Sequence, residues 1–339
     1  MKILLDHSPP FLLAHGGVQI QIEQTKNGLG QAGVEVEFVR WWDSAQRGDL
    51  IHFFKAPSIE YLDVAQRKGI PIVITETLSE PCNRTDFRLR LLGAGVRAVL
   101  AAPLGKGVKR QFKWSALRRA DCVIVGLQAE RKVLEMAYGV ASDRIAVVPL
   151  GLSENFLKAG HGDRSADYLI SVGTITQVKG AVPLARLARQ SQTPILFVGK
   201  PYAEDDPYWA EFKSLIDGRI VRHQGHVEPE LLIKLLQAAR GSVVMSGFEN
   251  WSLAAHEAAA CGLPLLLRPQ KWAQERFGNQ ATYFPGGDES SGQIATLKRF
   301  YEQAPTLSPP RIKLHAWKEV GEMIRGVYER ILFGKKVAE

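Results

Sequence analysis

Phe248-Glu249-Asn250-Trp251-Ser252-Leu253-Ala254-Ala255-His256-Glu257-Ala258 is the stretch on which the reading of this chain turns. A loop carrying one carboxylate runs into a helix carrying a second, eight positions later. The helix is predicted to stop at Cys261-Gly262-Leu263-Pro264, where Gly and Pro supply end signals. With a first turn near Ser252, a favoured cap residue, Glu249 lies before the helix and Glu257 in its second turn. The free N–H groups of a helix start attract anions. Glu257 stands about 7.5 Å further up the axis, at 1.5 Å per residue. That is close to the separation of diphosphate and ribose hydroxyls in one nucleotide, so a single element is suited to hold both.

Working outward, short apolar runs alternate with helical patterns, which predicts parallel sheets covered by helices. The first half gives strands at Lys2–Asp6, Val34–Val39, Leu50–Phe54, Ile70–Thr75, Cys122–Val125 and Ile145–Val148. The pattern then restarts, with strands at Tyr168–Val172, Ile195–Val198, Arg219–Gln224, Ser242–Met245 and Leu265–Arg268. The restart implies two α/β domains, 1–152 and 153–311, with a linker near Gly151–Ala166 that is rich in Gly, Ser, Asp and His. After Pro309-Pro310 the tail 312–339 reads as an amphipathic helical region that packs back toward the N-terminal domain. A chain of 339 residues suits two domains, and 45% hydrophobic with 23% charged content is that of a globular protein. No apolar run reaches membrane-span length. The start, Met1-Lys2-Ile3-Leu4-Leu5-Asp6, is charged too early for a signal peptide. Cys82, Cys122 and Cys261 are odd in number and lack metal spacing, which fits free thiols in a reducing cytoplasm.

Further motifs share the order of the first. In Leu169-Ile170-Ser171-Val172-Gly173-Thr174-Ile175-Thr176-Gln177-Val178-Lys179-Gly180 a buried strand ends in glycine and Lys-Gly opens a helix. Gly173 lets a ligand approach the backbone, and Lys179 can set an ammonium on a phosphate oxygen. Gly225-His226-Val227 follows another strand end. His15-Gly16-Gly17-Val18 places a glycine pair at a helix start. Arg144-Ile145-Ala146-Val147-Val148-Pro149-Leu150-Gly151 closes the first domain.

Together these motifs resemble the GT-B retaining glycosyltransferases of the large E-x7-E group, family 4-like, firmly over about Asp167–Pro269 and more loosely over the N-terminal half. The resemblance implies two facing Rossmann-like domains with parallel sheets and an interdomain cleft, an acceptor-side first domain, and a second domain that binds a nucleotide-diphosphate sugar. It implies hexosyl transfer with retention of anomeric configuration and no metal or other cofactor, as in polysaccharide or glycolipid biosynthesis. Glu249 and Lys179 become the catalytic candidates. Gly16, Gly17, Gly173, Thr174, Gly225, His226, Val227, Asn250, Trp251, Ser252, Leu253 and Glu257 join them as donor-binding candidates, with Glu257 on the ribose, the 225–227 backbone on the base and Glu249 on the sugar. The chain departs from the family in three places. Thr174 stands where an Arg is usual, Asn250 and Ser252 stand where glycines are common, and Thr75-Glu76-Thr77-Leu78-Ser79 lacks a customary His. A non-catalytic nucleotide-sugar-binding protein and a sugar-nucleotide 2-epimerase share the architecture and are the rival readings. Base, sugar and acceptor stay open.

Between Arg84 and Arg119 ten cations face one acid, Asp86, with apolar residues interleaved. Such a segment suits an anionic membrane surface, at the inner membrane face, or an anionic acceptor, and equally a solvated helix face beside core leucines. Nucleic acid is not expected, since no recognised binding motif accompanies the charge. Gly93-Ala94-Gly95-Val96-Arg97-Ala98 fits a dinucleotide pattern but lacks its strand and its acidic partner. Glu204-Asp205-Asp206 reads as a solvated loop.

Overall fold

The apolar runs become strands because they are stretches of β-branched and aliphatic residues too short for a helix, and the central ones, such as Leu50–Phe54 and Ile72–Thr75, are buried on both faces. The computed structural model describes residues 1–8, 11, 17–102, 112–287 and 290–334. The strands form two six-stranded sheets, ordered β2-β1-β3-β4-β5-β6 and β12-β11-β10-β7-β8-β9, and every pairing is parallel. In the first sheet β1 is Lys2–His7, β2 Glu35–Phe38, β3 Leu50–Phe54, β4 Ile72–Thr75, β5 Cys122–Val125 and β6 Ile145–Val147. In the second, β7 is Leu169–Val172, β8 Ile195–Val198, β9 Val221–His223, β10 Ser242–Val244, β11 Leu265–Leu267 and β12 Thr282–Tyr283. The chain divides into Met1–Gly151 with His315–Glu339, and Leu152–Leu314.

The second unit starts without a free linker. Within 151–166 a short helix, Glu154–Lys158, forms, and the Arg164 and Ala166 N–H groups donate to Gln237 and Ala238 carbonyls. The Arg164 guanidinium caps the Gly262 and Leu307 carbonyls, the latter at 2.8 Å. The basic segment holds a full helix, Asp86–Ala101, capped by Thr85. Its Gly93 lies where a Cβ would come within 2.2 Å of the Met136 carbonyl oxygen, so the glycine that mimicked a cofactor motif is a packing contact. In the Glu204-Asp205-Asp206 loop, Asp206 caps the helix Pro207–Leu215 and Glu204 accepts from the Trp209 indole at 2.8 Å.

The last helix, Trp317–Phe333, belongs to the first unit. It crosses the helix Gly17–Gln31 at a point where both surfaces are glycine. A Cβ on Gly28 would meet the Trp317 carbonyl oxygen at 2.1 Å, and one on Gly321 would meet the Gly28 oxygen at 2.2 Å. Its Tyr328 reaches the sheet through buried His52, which contacts the tyrosine hydroxyl at Nδ1 and Thr75 Oγ1 at Nε2, both at 2.6 Å. Burial brings the His52 pKa down to about 3, so this bridge is neutral.

Gly28→Ala forces the two helices apart and is expected to cost about 1–3 kcal/mol, as overpacking does. Gly30 in the same helix faces open space, so Gly30→Ala should be neutral or stabilising by up to about 1 kcal/mol. Urea unfolding midpoints of the two variants check this, and equal values would show that the crossing is not tight.

Candidate functional site

In an open parallel sheet, ligands bind beyond the carboxyl ends of the strands, where the strand order reverses. In the second sheet that point lies between β7 and β10: β8 and β9 extend to one side, β11 and β12 to the other. The two loops that leave it are 173–180 and 245–252, the two stretches that the sequence singles out. They are stitched together. Gly247 N–H donates to the Val178 carbonyl at 2.7 Å. Gly180 has φ 71 and sits against the backbone of Met245, where a Cβ would stand 2.6 Å from the carbonyl oxygen. Gln270 clamps the far side, its amide donating to the Ser246 and Gly247 carbonyls at 2.8 and 2.6 Å.

The pair of candidates at the centre meets directly: Lys179 Nζ lies 2.7 Å from Glu249 Oε2. The lysine is 37% exposed and the glutamate 10%, so the pair has a buried carboxylate and an ammonium open to solvent. Three adjacent strand ends each carry a glycine. Gly173 N–H donates to Val198 O at 2.9 Å, and Gly199 N–H to Gly225 O at 2.7 Å. A Cβ on Gly199 would lie 2.0 Å from the Gly173 oxygen. Gly199 thus completes a row of bare backbone with Gly173 and Gly225. It was missed in the sequence, although a glycine closing three successive strands was the available signal.

Ser252 caps the helix Leu253–Ala260, its hydroxyl accepting from Ala255 N–H at 3.3 Å. The N–H groups of Leu253 and Ala254 have no partner among the described residues, which leaves two donors facing the loop. Glu257 lies in the second turn with no hydrogen-bond or ion-pair partner among the described residues, and desolvation raises its pKa to about 7. Behind the loop, Trp251 is stacked on His256 at 4.5 Å, and the Arg276 guanidinium lies 4.3 Å from the centre of the indole. His256 Nδ1 contacts the Ser252 carbonyl at 2.7 Å. Burial brings its pKa down to about 3, with a smaller opposing effect of that contact. The Trp251 ring is therefore packed into the protein, and what it offers a ligand is main chain. Asn250 and Leu253 are half-buried beside it, and Thr174 is half-buried at the end of β7. His226 is exposed and Val227 half-buried in the loop after β9.

Some candidates are carried by the other unit. Gly17 begins the first helix of the other unit, exposed and with open space around it, while Gly16 lies outside the described residues. Glu76, at the end of β4 where the family has its histidine nearby, is buried. Its carboxylate accepts from Ala56 N–H at 2.9 Å and Thr77 N–H at 3.0 Å, so it braces two loops.

The described residues contain no helix long and apolar enough to cross a membrane. Residues 37–156 match the family model for glycosyltransferase family 4, and residues 155–297 match that for glycosyl transferases group 1. Among curated proteins, the chain is 26% identical over 227 residues to D-inositol 3-phosphate glycosyltransferase 1 of Catenulispora acidiphila. That match takes in 60% of this chain and spans about half the length of the relative, 51%. Among solved structures, sucrose-phosphate synthase from Thermosynechococcus elongatus superposes with TM-score 0.65 at 18% identity, covering 98% of this chain and 100% of the other. HepE of Anabaena, solved in complex with UDP-glucose, gives TM-score 0.62 at 15% identity, covering 97% and 99%. With two adjacent family matches that together run from 37 to 297, on two doubly wound parallel sheets, the chain belongs to the family 4-like glycosyltransferases of GT-B fold.

Proposed function

We propose that the protein transfers a sugar from a nucleotide-diphosphate sugar to an acceptor with retention of anomeric configuration. The observation that carries this reading is the Lys179–Glu249 pair, held across the two loops of the switch point beside the open N–H groups of Leu253 and Ala254. When the anomeric C–O bond breaks, negative charge grows on the leaving diphosphate. Donors already aimed at that position stabilise it without reorganising. Lys179 supplies a mobile cation and the helix start two fixed N–H groups, so the charge stabilisation is assigned to these protein groups and not to a metal. Glu257, unpartnered and one turn further along, takes the ribose hydroxyls. The Gly173, Gly199 and Gly225 row lets the nucleotide lie close to the backbone. Glu249 orients the sugar while bonded to Lys179. That bond commits the carboxylate to the cation and disfavours its use as a covalent nucleophile. The reading instead has the acceptor oxygen attack on the face from which the diphosphate leaves, its proton passing to the leaving phosphate oxygen. HepE, of the same fold, binds UDP-glucose, which supports the donor class.

The same reading places the protein in the cytoplasm, peripherally on the inner face of a membrane. The helix Asp86–Ala101 supports this. Leu89, Gly93 and Val96 face the core, while Phe87 and Leu91, 70% and 57% exposed, form an outer apolar stripe with Ala94 and Ala98. Exposed Arg88, Arg90 and Arg97 flank that stripe. Beside the helix runs a groove of about 500 Å³, lined by Val96, Leu100 and Tyr138 with Arg97 and Arg118. Apolar surface bordered by cations matches an anionic lipid surface.

Lys179→Ala and Glu257→Ala are each expected to lower sugar transfer by about ten- to a thousandfold, the loss of a few kcal/mol of binding or charge stabilisation. Donor turnover, with the product's anomeric configuration read by NMR, checks this; full turnover in both variants removes the site assignment. Glu257 also predicts a pH effect on the unliganded protein. Its folded pKa of about 7 exceeds the ordinary 4.5, so between those values the folded chain keeps a proton that the unfolded chain has lost. Stability should therefore fall as pH rises through that window and level off above it. Glu257→Gln should flatten this limb of a melting-temperature profile, and a variant profile parallel to the parent's would count against the burial. Replacing Arg88, Arg90 and Arg97 by Ser should weaken sedimentation with anionic liposomes about a hundredfold, at about 1 kcal/mol per cation. Undiminished binding would return the helix to a solvated face.

A further inference from the structure

Lys179 and the start of the helix Leu253–Ala260 serve the phosphoryl group that leaves. A diphosphate has a second phosphoryl group, on the nucleoside side, and the row of Gly173, Gly199 and Gly225 leads toward it. Thr174 offers that group no cation, but Lys200 stands beside it. Lys200 follows Gly199, directly after β8, and the ladder between β7 and β8 runs on past the strand ends to reach it. Ile175 N–H donates to Lys200 O at 3.1 Å, continuing the bond from Gly173 N–H to Val198 O. A Cβ on Gly199 would stand 3.5 Å from Thr174 N, so positions 174 and 199 touch across that ladder. The Lys179 stem passes the same spot, its Cγ and Cδ lying 3.9 Å from where a Gly173 Cβ would be.

The main chain at this point is short of acceptors. The N–H groups of Thr174 and Lys200 have no partner among the described residues, and neither has the Thr174 hydroxyl. His223 Nε2 contacts Gly199 O at 2.8 Å. The N–H and C=O of one peptide point opposite ways, so this contact turns the Lys200 N–H away from His223. Neighbouring free N–H groups at a sheet end form an anion-binding concavity. The Lys200 side chain is exposed, and its ammonium makes no ion pair among the described residues. The acids of its own loop do not neutralise it. Glu204 accepts from the Trp209 indole at 2.8 Å, Asp206 accepts from Tyr208 N–H at 2.9 Å, and Asp205 forms no ion pair with it. An exposed lysine alone is ordinary. This one joins two free N–H groups, a free hydroxyl and a second lysine, and the carboxylate beside them, Glu249, is already bonded to Lys179. Such a set of donors is complementary to a phosphate.

We infer that Lys200 and Thr174 hold the nucleoside-side phosphate of the donor, Lys200 by its ammonium and N–H group and Thr174 by its N–H group and hydroxyl. The inference rests on the transferase reading and adds two roles to its site. The charge on that phosphate changes little during transfer, so Lys200 contributes to donor binding where Lys179 contributes to the chemical step. Ligand-observed NMR on the full chain tests this, with UDP, GDP, UMP, GMP, uridine and guanosine as probes. For the base that binds, Lys200→Ala should weaken the mono- and diphosphate about ten- to a hundredfold, the loss of a charge-assisted hydrogen bond, and leave the nucleoside unaffected. In donor turnover the same variant should act on KM, where Lys179→Ala acts on kcat. Thr174→Arg added to Lys200→Ala should recover most of the lost affinity, since a guanidinium at 174 reaches the same phosphate. Equal phosphate affinity in the parent and Lys200→Ala, a parallel loss of nucleoside affinity, or a double variant no tighter than the single one overturns the inference. A nucleoside diphosphate that binds the parent and Lys200→Ala alike removes this assignment alone, whereas failure of the parent to bind UDP or GDP removes the transferase reading beneath it.

Discussion

A half-exposed ion pair contributes little to stability, since solvent screens it and two long side chains must be ordered to make it. The bond between Lys179 and Glu249 is of that kind, yet the second unit is arranged to produce it. Its partners come from loops 70 positions apart in the chain, brought together only because β7 and β10 are neighbours. Gly180 allows the first loop to lie against Met245, Gly247 bonds back to Val178, and Gln270 fixes the second loop from behind. So much positioning for so weak a bond is accounted for by a ligand whose charge meets the ammonium. On the proposed reading, Glu249 keeps Lys179 in place until a diphosphate shares it.

The first unit is held by a different constraint. Its terminal helix docks through bare backbone at Gly28 and Gly321 and through the chain of Tyr328, His52 and Thr75. A neutral, buried histidine bonded on both nitrogens specifies one register for that helix, where apolar contact alone would tolerate sliding. Because Thr75 ends β4 and Lys55 bonds its carbonyl, the docking of the tail helix also fixes the strand ends that Lys55 and Glu76 follow.

Much of this was legible in the sequence. The apolar runs gave eleven of the strands, since doubly buried parallel strands are continuous apolar stretches with few competing patterns. The two-residue β12 was too short to register. The helix Asp86–Ala101 escaped because it is apolar on two opposite faces, one toward the core and one outward, which cancels the single-face periodicity. At the site, the cap at Ser252 and the place of Glu257 followed from spacing along one helix. The pairing of Lys179 with Glu249, the clamp by Gln270 and the packing of the Trp251 ring against His256 did not, because each depends on which loops the sheet order makes neighbours. The exposure of Trp41 and Trp42 was not legible, since exposure is a property of the fold and not of the residue.

Thr174 leaves the loop after β7 one cation short of the family pattern, and another cation, Arg276, lies behind the neighbouring loop. Arg276 lies flat on Trp251, with its Nε donating to His256 Nε2 at 3.4 Å, directly behind the loop that opens the helix Leu253–Ala260. Burial lowers its pKa, but an arginine has so high a starting value that it stays charged. A fixed cation beneath a helix start adds to the field of the free N–H groups, and partial burial weakens its screening by solvent. It touches no ligand and so cannot grip a phosphate as the missing arginine would. It does bias the whole loop toward anions, and it leaves Lys179 as the one mobile cation assigned to the leaving phosphate. Loss of Lys179 would therefore leave that background field intact and remove the group able to follow charge as it moves onto the leaving oxygen.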